Sequence, residues 1–309
     1  MIKKIVKSIR LFGKNKLIFF KNKLYNCDNL ELMSIIPDNT IDLIYCDILY
    51  GTGRKFKDFQ DLKPIRSEIE DHYIPRLKEM HRILKNTGSI YLQMDAKINH
   101  WIRIIMDDIF GYNNFRNEII WKKGETGKGA KKFKNISKDH DSILQYTKSN
   151  VYTVNFIKEP HDTISLKEYK YYDDIERKYF KIVQLGMYSK ISVENMRKKN
   201  EIYTSKNGKD YKKYYLEDFK NGIVSDIWVN CHSLYNGDNK EMNIYDTQKP
   251  QSLLERIILL SSNEGDLIAD FYCGSGTTCE TATLLNRNFV ACDINPKAIE
   301  ISNKRLNKK

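Results

Sequence analysis

The sequence predicts an α/β protein built on a doubly wound, mostly parallel sheet, with a smaller region of different character set into it. Three observations predict this. Leu267, Ile268 and Ala269 form a short apolar run, followed by a turn with Gly274 and Gly276 and then by helix-forming residues from Thr277. A strand, a glycine turn and a helix N-terminus make a ligand cradle at the carboxyl end of a parallel strand. Three earlier apolar runs each end at an aspartate, Asp28, Asp47 and Asp95, whereas residues 150–224 lack any strand–helix alternation.

A chain of 309 residues suits one large α/β domain, or one with an inserted smaller domain, and 41% hydrophobic residues can fill its core. The net charge of +12 points to a polyanionic partner, nucleic acid or an anionic membrane surface. No apolar run approaches the roughly eighteen residues of a membrane span. The N-terminus carries no secretory pattern, so a cytoplasmic location is expected. The six cysteines form no Cys-x-x-Cys pair, which reads as reduced, partly buried thiols; no zinc or other metal is expected.

Residues 1–16 are basic and weakly patterned, an arm or an edge element. Residues 24–28 read as a strand ending in Asp28, and 30–36 as a short helix that Asp28 would N-cap. Residues 41–46 form the next strand, followed by Asp47, Ile48, Leu49 and Tyr50. The polar stretch 51–63 is a loop long enough to move over a substrate. Ile69, Tyr73, Leu77, Met80 and Leu84 recur at helical spacing, and Asn86, Thr87 and Gly88 are expected to stop that helix. Strand 89–94, a helix to about residue 110, strand 118–121 and a returning strand 140–146 complete this half. Between the last two lie Gly124, Gly127 and Gly129 among Lys122, Lys123, Lys128, Lys131, Lys132 and Lys134. Such a stretch cannot bury a core: it is either a solvated loop or a loop that orders on a phosphate backbone.

In residues 150–224, Tyr169, Tyr171, Tyr172, Tyr179, Tyr188, Tyr203, Tyr211, Tyr214 and Tyr215 alternate with lysines. An aromatic and basic surface suits nucleic acid, though a small helical subdomain with core tyrosines has the same composition. From residue 225 the alternation resumes, with helix 253–262, the glycine-turn strand and strand 289–292 ending in Asp293.

The turn itself narrows the ligand. A phosphate-binding P-loop needs a lysine that is absent, and a dinucleotide fingerprint needs a third glycine near Cys279. S-adenosylmethionine (AdoMet), which has no phosphates, remains, beside the alternative of an ordinary strand–turn–helix with Asp293 as a surface residue. Gly274 and Gly276 would let AdoMet approach the backbone, and Asp293 could accept both ribose hydroxyls.

Three segments together resemble a known family. Asp47-Ile48-Leu49-Tyr50, Thr247-Gln248-Lys249-Pro250 and Asp270-Phe271-Tyr272-Cys273-Gly274-Ser275-Gly276-Thr277-Thr278 are similar to the Asp-Pro-Pro-Tyr, Thr-Gln-Lys-Pro and Asp-Pro-Phe-x-Gly-Ser-Gly-Thr-Thr motifs of DNA amino-methyltransferases. Their order, catalytic tetrad first, is that of the β class. The resemblance covers roughly residues 24–148 and 225–306. It implies a circularly permuted Rossmann-like sheet, with the two AdoMet strands beside those ending at Asp28 and Asp47. It also implies a catalytic half in residues 1–149, a target-recognition insertion in 150–224 and an AdoMet-binding half in 225–309.

Carried over residue by residue, the resemblance places catalysis on Asp47, Ile48, Leu49 and Tyr50. It places AdoMet on Asp28, Asp47, Thr247, Gln248, Lys249, Asp270, Phe271, Tyr272, Cys273, Gly274, Ser275, Gly276, Thr277, Asp293 and Ile294. The Asp47 carboxylate and the Ile48 carbonyl would accept the hydrogens of the target amine, and Tyr50 would stack on a flipped-out base. The lysines of residues 122–134 would meet the backbone of double-stranded DNA.

Ile48-Leu49 departs from the usual Pro-Pro. Proline at a compatible site is worth roughly 0.4–1 kcal/mol, so the loop is expected to be looser and the rate lower by about tenfold or less. Tyr272 replaces a smaller residue and is expected to pack on the cofactor. The implied activity is site-specific methylation of adenine N6, in a restriction–modification system or as an orphan enzyme; a cognate endonuclease and a homodimer are further expectations. The alternatives are a non-catalytic DNA-binding protein on a degenerate scaffold, or a methyltransferase acting on cytosine N4 or on RNA.

Overall fold

The protein is described by a computed structural model covering residues 20–55, 60–123, 138–159, 167–216, 222–231 and 248–307. The N-terminal arm and Lys128, Lys131, Lys132, Lys134 and Thr247 lie outside these described residues. The chain divides into two compact units, Met1–Asn155 with Ser225–Lys309, and Phe156–Val224.

The first unit contains β1 (Lys23–Asn26), α1 (Asn29–Ile35), β2 (Ile41–Asp47), α2 (Arg66–Ile83), β3 (Leu84–Met94), α3 (Asn99–Phe110), β4 (Phe115–Lys122) and β5 (His140–Thr147). In the second unit come β6 (Lys158–Glu159), β7 (Tyr171–Asp173), β8 (Lys178–Gln184), α4 (Lys190–Lys198), β9 (Ile202–Thr204), β10 (Asp210–Tyr215) and β11 (Gly222–Ile223). The chain returns to the first unit with β12 (Ile227–Trp228), α5 (Gln251–Ser261), β13 (Leu267–Asp270), α6 (Thr277–Leu284), β14 (Asn288–Asp293) and α7 (Pro296–Leu306).

The main sheet has eight strands in the order β1-β14-β13-β2-β3-β5-β4-β12. The expected placement holds: β14 pairs in parallel with β1, and β13 in parallel with β2. The last two long strands thus insert between the first two, which is the permutation. Beyond β3 the sheet turns antiparallel through β5 and β4.

Side-chain alternation explains the layers. Ile44, Cys46, Ile90 and Leu92 join a core completed by Leu32 and Met33 of α1, Tyr73, Leu77 and Met80 of α2, and Ile102 and Met106 of α3. Their neighbours Leu43, Tyr45 and Tyr91 are also buried. Tyr91 turns to the α5 side, where its hydroxyl lies 2.7 Å from Ser261 Oγ. No helix among the described residues is long and apolar enough to cross a membrane.

Asn86, Thr87 and Gly88 do not terminate α2 as a cap. The helix passes directly into β3 at Leu84, which is extended and paired with Ile41. The tripeptide lies inside β3, where pairing with β2 resumes at Ser89 after an irregularity. Glycine is needed for close approach rather than for a helix stop. A Cβ at position 88 would lie 2.7 Å from Leu84 Cδ1 and 2.9 Å from the Asp42 carbonyl oxygen.

The second unit is a four-stranded antiparallel sheet, β7-β8-β10-β9, with a short β11-β6 ladder. It is therefore a sheet and not the helical subdomain whose composition it shares. Phe180 sits 5.5 Å from Tyr171 and 5.9 Å from both Tyr203 and Tyr215, centroid to centroid. These tyrosines make the unit's own core, whereas Tyr172 and Tyr179 are half exposed.

Gly88→Ala is expected to destabilise the first unit by about 1–3 kcal/mol, because Leu84 and a backbone oxygen must both shift. Equilibrium denaturation checks this.

Candidate active site

The carboxyl ends of β13, β14 and β2 meet where the sheet order switches, the position at which ligands bind open α/β sheets. The turn after β13 is held by groups on every side. Asp270 accepts hydrogen bonds from the Tyr272 amide (3.0 Å) and the Thr278 hydroxyl (2.6 Å), tying the strand end to α6. Asp293, ending β14, accepts from the amides of Gly274 (3.0 Å) and Asn295 (2.8 Å). A carboxylate has about four lone-pair sites, so Asp293 keeps capacity for a ligand's hydroxyls.

Gly276 is needed for a different reason from the one expected. Its φ is +77°, and a Cβ would lie 2.7 Å from Ser302 Oγ on α7. Glycine there seats α7 rather than admitting a ligand. Ser275 and Thr277 likewise turn inward: Arg305 of α7 donates to the Ser275 hydroxyl at 3.2 Å and to the Thr277 hydroxyl at 2.9 Å. Phe271 and Cys273 are buried. Tyr272 is anchored to α2, with its hydroxyl 3.1 Å from His72 Nε2. Burial lowers the His72 pKa to about 4, so its ring is neutral at physiological pH. Ile294 is 70% exposed, an apolar side chain on the rim beside Asp293.

Asp28 takes the capping role. It accepts from the Leu30 amide at 2.8 Å and pairs with Arg76 at 3.0 Å. Arg76 also donates to Asn29 Oδ1 at 2.8 Å, and Asn29 donates to the Phe271 carbonyl at 3.2 Å. Arg76, Asn29 and Arg305 carry no motif and went unnoticed in the sequence; the pairings they make span long sequence separations.

Asp47 lies at the end of β2, with the Lys249 ammonium 2.5 Å from Oδ2 and the Tyr50 hydroxyl 2.9 Å from Oδ1. The structure therefore brings Asp47, Tyr50 and Lys249 together, with Gln248 buried next along the chain. Burial pushes the Asp47 carboxyl above its usual range, and the Lys249 cation opposes that. Burial also pushes the Tyr50 hydroxyl well up, reinforced by Asp47 and Asp141, so it keeps its proton.

The expected loosening at Ile48-Leu49 is countered locally. The Ile48 amide donates to the Gln93 carbonyl at 3.1 Å, a bond that proline has no hydrogen to make. The Ile48 side chain is buried, and the Leu49 carbonyl accepts from the Tyr73 hydroxyl at 2.9 Å. Asp61 pins the start of the following loop through the Gly51 and Thr52 amides, at 3.1 and 2.7 Å.

Of the expected DNA-binding lysines within the described residues, Lys122 is exposed. Lys123 instead places its ammonium 2.6 Å from the buried Asp141. No cluster of three or more metal-ligating side chains occurs among the described residues.

The chemistry of the crevice fits AdoMet. Asp47, Asp270 and Asp293 are all raised by burial, Asp270 to about 7. Such a group of carboxylates repels phosphate and favours a ligand bearing a sulfonium and an ammonium.

A permuted parallel sheet with this crevice defines an AdoMet-dependent methyltransferase. The chain belongs to the family of DNA N6-adenine and N4-cytosine methyltransferases: the family model described as DNA methylase matches residues 41–304. It is 30% identical over 283 residues to the type II methyltransferase M.HpaI of Haemophilus parainfluenzae, covering 91% of this chain and 73% of that one. It is 27% identical to the DNA adenine methyltransferase YhdJ of Escherichia coli (strain K12), covering 90% of this chain and 80% of that one. Among solved structures it resembles the cytosine-N4-specific PvuII DNA methyltransferase, with TM-score 0.59 and 16% identity over 93% of this chain and 87% of that one. It also resembles M1.HpyAVI complexed with SAM, with TM-score 0.52 and 16% identity over 92% and 98%. Both structural likenesses are of fold.

The raised carboxylates set a pH dependence. An aspartate titrates near 4 in the unfolded chain, while folded Asp270 titrates at about 7. Between these values folded Asp270 binds the extra proton, so its contribution to stability falls as pH rises from about 4 to about 7. His72, lowered to about 4 in the fold, contributes the opposite slope up to its ordinary value of about 6.5. Asp270→Asn removes the falling contribution, so thermal stability without AdoMet should rise more with pH across this window in the variant than in wild type. AdoMet should stabilise the protein more at pH 8 than at pH 6, because a cation favours the ionised carboxylates.

Proposed function

We propose that the protein is a site-specific DNA methyltransferase acting on adenine N6, with Asp47, Ile48, Leu49 and Tyr50 as its catalytic tetrad. The observation that carries this is Asp47 at the end of β2, held by Lys249 and Tyr50 beside the glycine turn.

The amino group of adenine is a weak nucleophile because its lone pair is delocalised into the ring. The Asp47 carboxylate accepts one amino hydrogen and the Ile48 carbonyl the other, which draws the lone pair toward the nitrogen. Tyr50 stacks on the base and fixes its plane. AdoMet supplies an electrophilic methyl on a sulfonium. Since the nitrogen must meet that methyl in line, positioning is the main demand on the protein.

For the cofactor, the reading assigns the Asp293 carboxylate to the ribose, the Ile294 rim to the adenine face, and the backbone of residues 270–277 to the remaining contacts. A base amine inside duplex DNA is out of reach, so the base leaves the stack at a cost of a few kcal/mol. Residues 150–224 supply recognition in this reading, with the half-exposed Tyr172 and Tyr179 among the groups available to DNA. A cognate restriction endonuclease fits the likeness to type II methyltransferases such as M.HpaI.

An aspartate rather than a serine at position 47 favours adenine, in line with the likeness to an adenine methyltransferase. N4 of cytosine is the second reading, since the same acceptor geometry serves either exocyclic amine.

The test is methyl transfer from labelled AdoMet to unmethylated DNA, with nucleoside analysis of the product. N6-methyladenine is expected, falling at least a hundredfold in Asp47→Ala. N4-methylcytosine would overturn the base assignment, and full activity in Asp47→Ala would overturn the site. DNA binding should weaken steeply with salt, as phosphate contacts require.

A further inference from the structure

We propose that Asp141 is a positioning residue for Tyr50, taking over the Tyr50 hydroxyl hydrogen when Asp47 turns to the substrate amine. This rests on the reading of Asp47 and Tyr50 as catalytic.

The Tyr50 oxygen lies 2.9 Å from Asp47 Oδ1 and 2.8 Å from Asp141 Oδ2. A phenol has one hydrogen to donate, so it serves one carboxylate fully at a time. Lys249 occupies the other oxygen of Asp47. A carboxylate oxygen has two lone pairs, so Oδ1 can accept from a base beside Tyr50, and it does so most fully when the single phenolic hydrogen passes to Asp141. A tyrosine released by Asp47 alone would lose the hydrogen bond that fixes its hydroxyl at the moment when its ring must hold the base.

Asp141 removes that freedom because its own position is fixed. Its side chain is 2% exposed, and Oδ1 accepts from the Lys123 ammonium at 2.6 Å. The Gln93 side-chain amide donates to Oδ2 at 3.0 Å, and Gln93 is itself held by the Tyr45 hydroxyl at 2.7 Å. Asp141 and Gln93 stand on adjacent antiparallel strands, β5 and β3. The anchor is thus built into the sheet, while Asp47 sits at a strand end. Lys123 balances the charge of Asp141, so two carboxylates can flank one hydroxyl. The looser loop expected at Ile48-Leu49 is opposed at the same point, since the tyrosine is held through its hydroxyl.

The test is a double-mutant cycle on the full chain, with wild type, Tyr50→Phe, Asp141→Ala and the double variant. It measures kcat at saturating DNA and AdoMet affinity for each. Fluorescence of 2-aminopurine placed at the target position reports how the flipped base is held. Asp141→Ala should lower kcat tenfold or more, with AdoMet affinity within twofold of wild type. Tyr50→Phe, which keeps the ring and loses the hydroxyl, should do the same, and the double variant should be no worse than the poorer single one. Asp141→Asn retains an acceptor and should fall between wild type and Asp141→Ala; it replaces alanine in the cycle if the alanine variant does not fold. Multiplying effects of the two changes, or a loss of AdoMet affinity that accounts for the loss in kcat, would overturn the proposal. Asp47→Ala separates the levels. If it abolishes transfer while the cycle multiplies, only the Asp141 role fails; if it leaves transfer intact, the site reading fails with it.

Discussion

The arrangement depends on seating several carboxyl groups, each oriented by its own donors, at the buried ends of neighbouring strands. Each is expensive to bury unpaired, and each has a particular partner. Asp28 has Arg76, Asp47 has Lys249, and Asp141 has Lys123. Asp270 and Asp293 accept from hydroxyl and amide donors, and both are raised by burial. A cationic cofactor complements these two carboxyls. This ties the fold, the pH dependence of stability and the choice of AdoMet over a phosphate-bearing nucleotide to one electrostatic condition.

Helix α7 shows how far the support extends. Arg305 reaches the hydroxyls of Ser275 and Thr277 and pairs with Glu280 of α6 at 2.5 Å, and Ser302 donates to the Gly274 carbonyl at 2.9 Å. The last helix thus sets the shape of the turn after β13. Residues of the glycine turn divide into those that face this scaffold and those whose backbone is left for a ligand.

Much of the sheet was legible in the sequence because aspartates mark the ends of β2 and β14, and the motif order implied where the late strands insert. The tetrad and the glycine turn were legible for the same reason: local spacing carries them. What escaped was non-local or context-dependent. Gly88 carries a helix-stop signal, yet the close approach of Leu84 and Asp42 decides its place. Tyr171, Tyr203 and Tyr215 have the composition of a binding surface but pack on Phe180. Asp141 has no motif, and its role emerges only when β5 brings it to Tyr50. The loss of Pro-Pro read as loosening, because nothing local to residues 48 and 49 reveals the Gln93 carbonyl or the Tyr73 hydroxyl that hold them.

The most direct measurement of the central claim is the pH dependence of single-turnover methyl transfer in wild type and Lys249→Met. In the proposed mechanism Asp47 is ionised when it accepts an amino hydrogen, and Lys249 is the cation that opposes the rise of its pKa on burial. Removing the ammonium raises that pKa further, so activity should be lost at a higher pH on the acid side. An acid limb displaced upward is the predicted result. An acid limb that stays in place, with transfer still dependent on Asp47, would contradict the account.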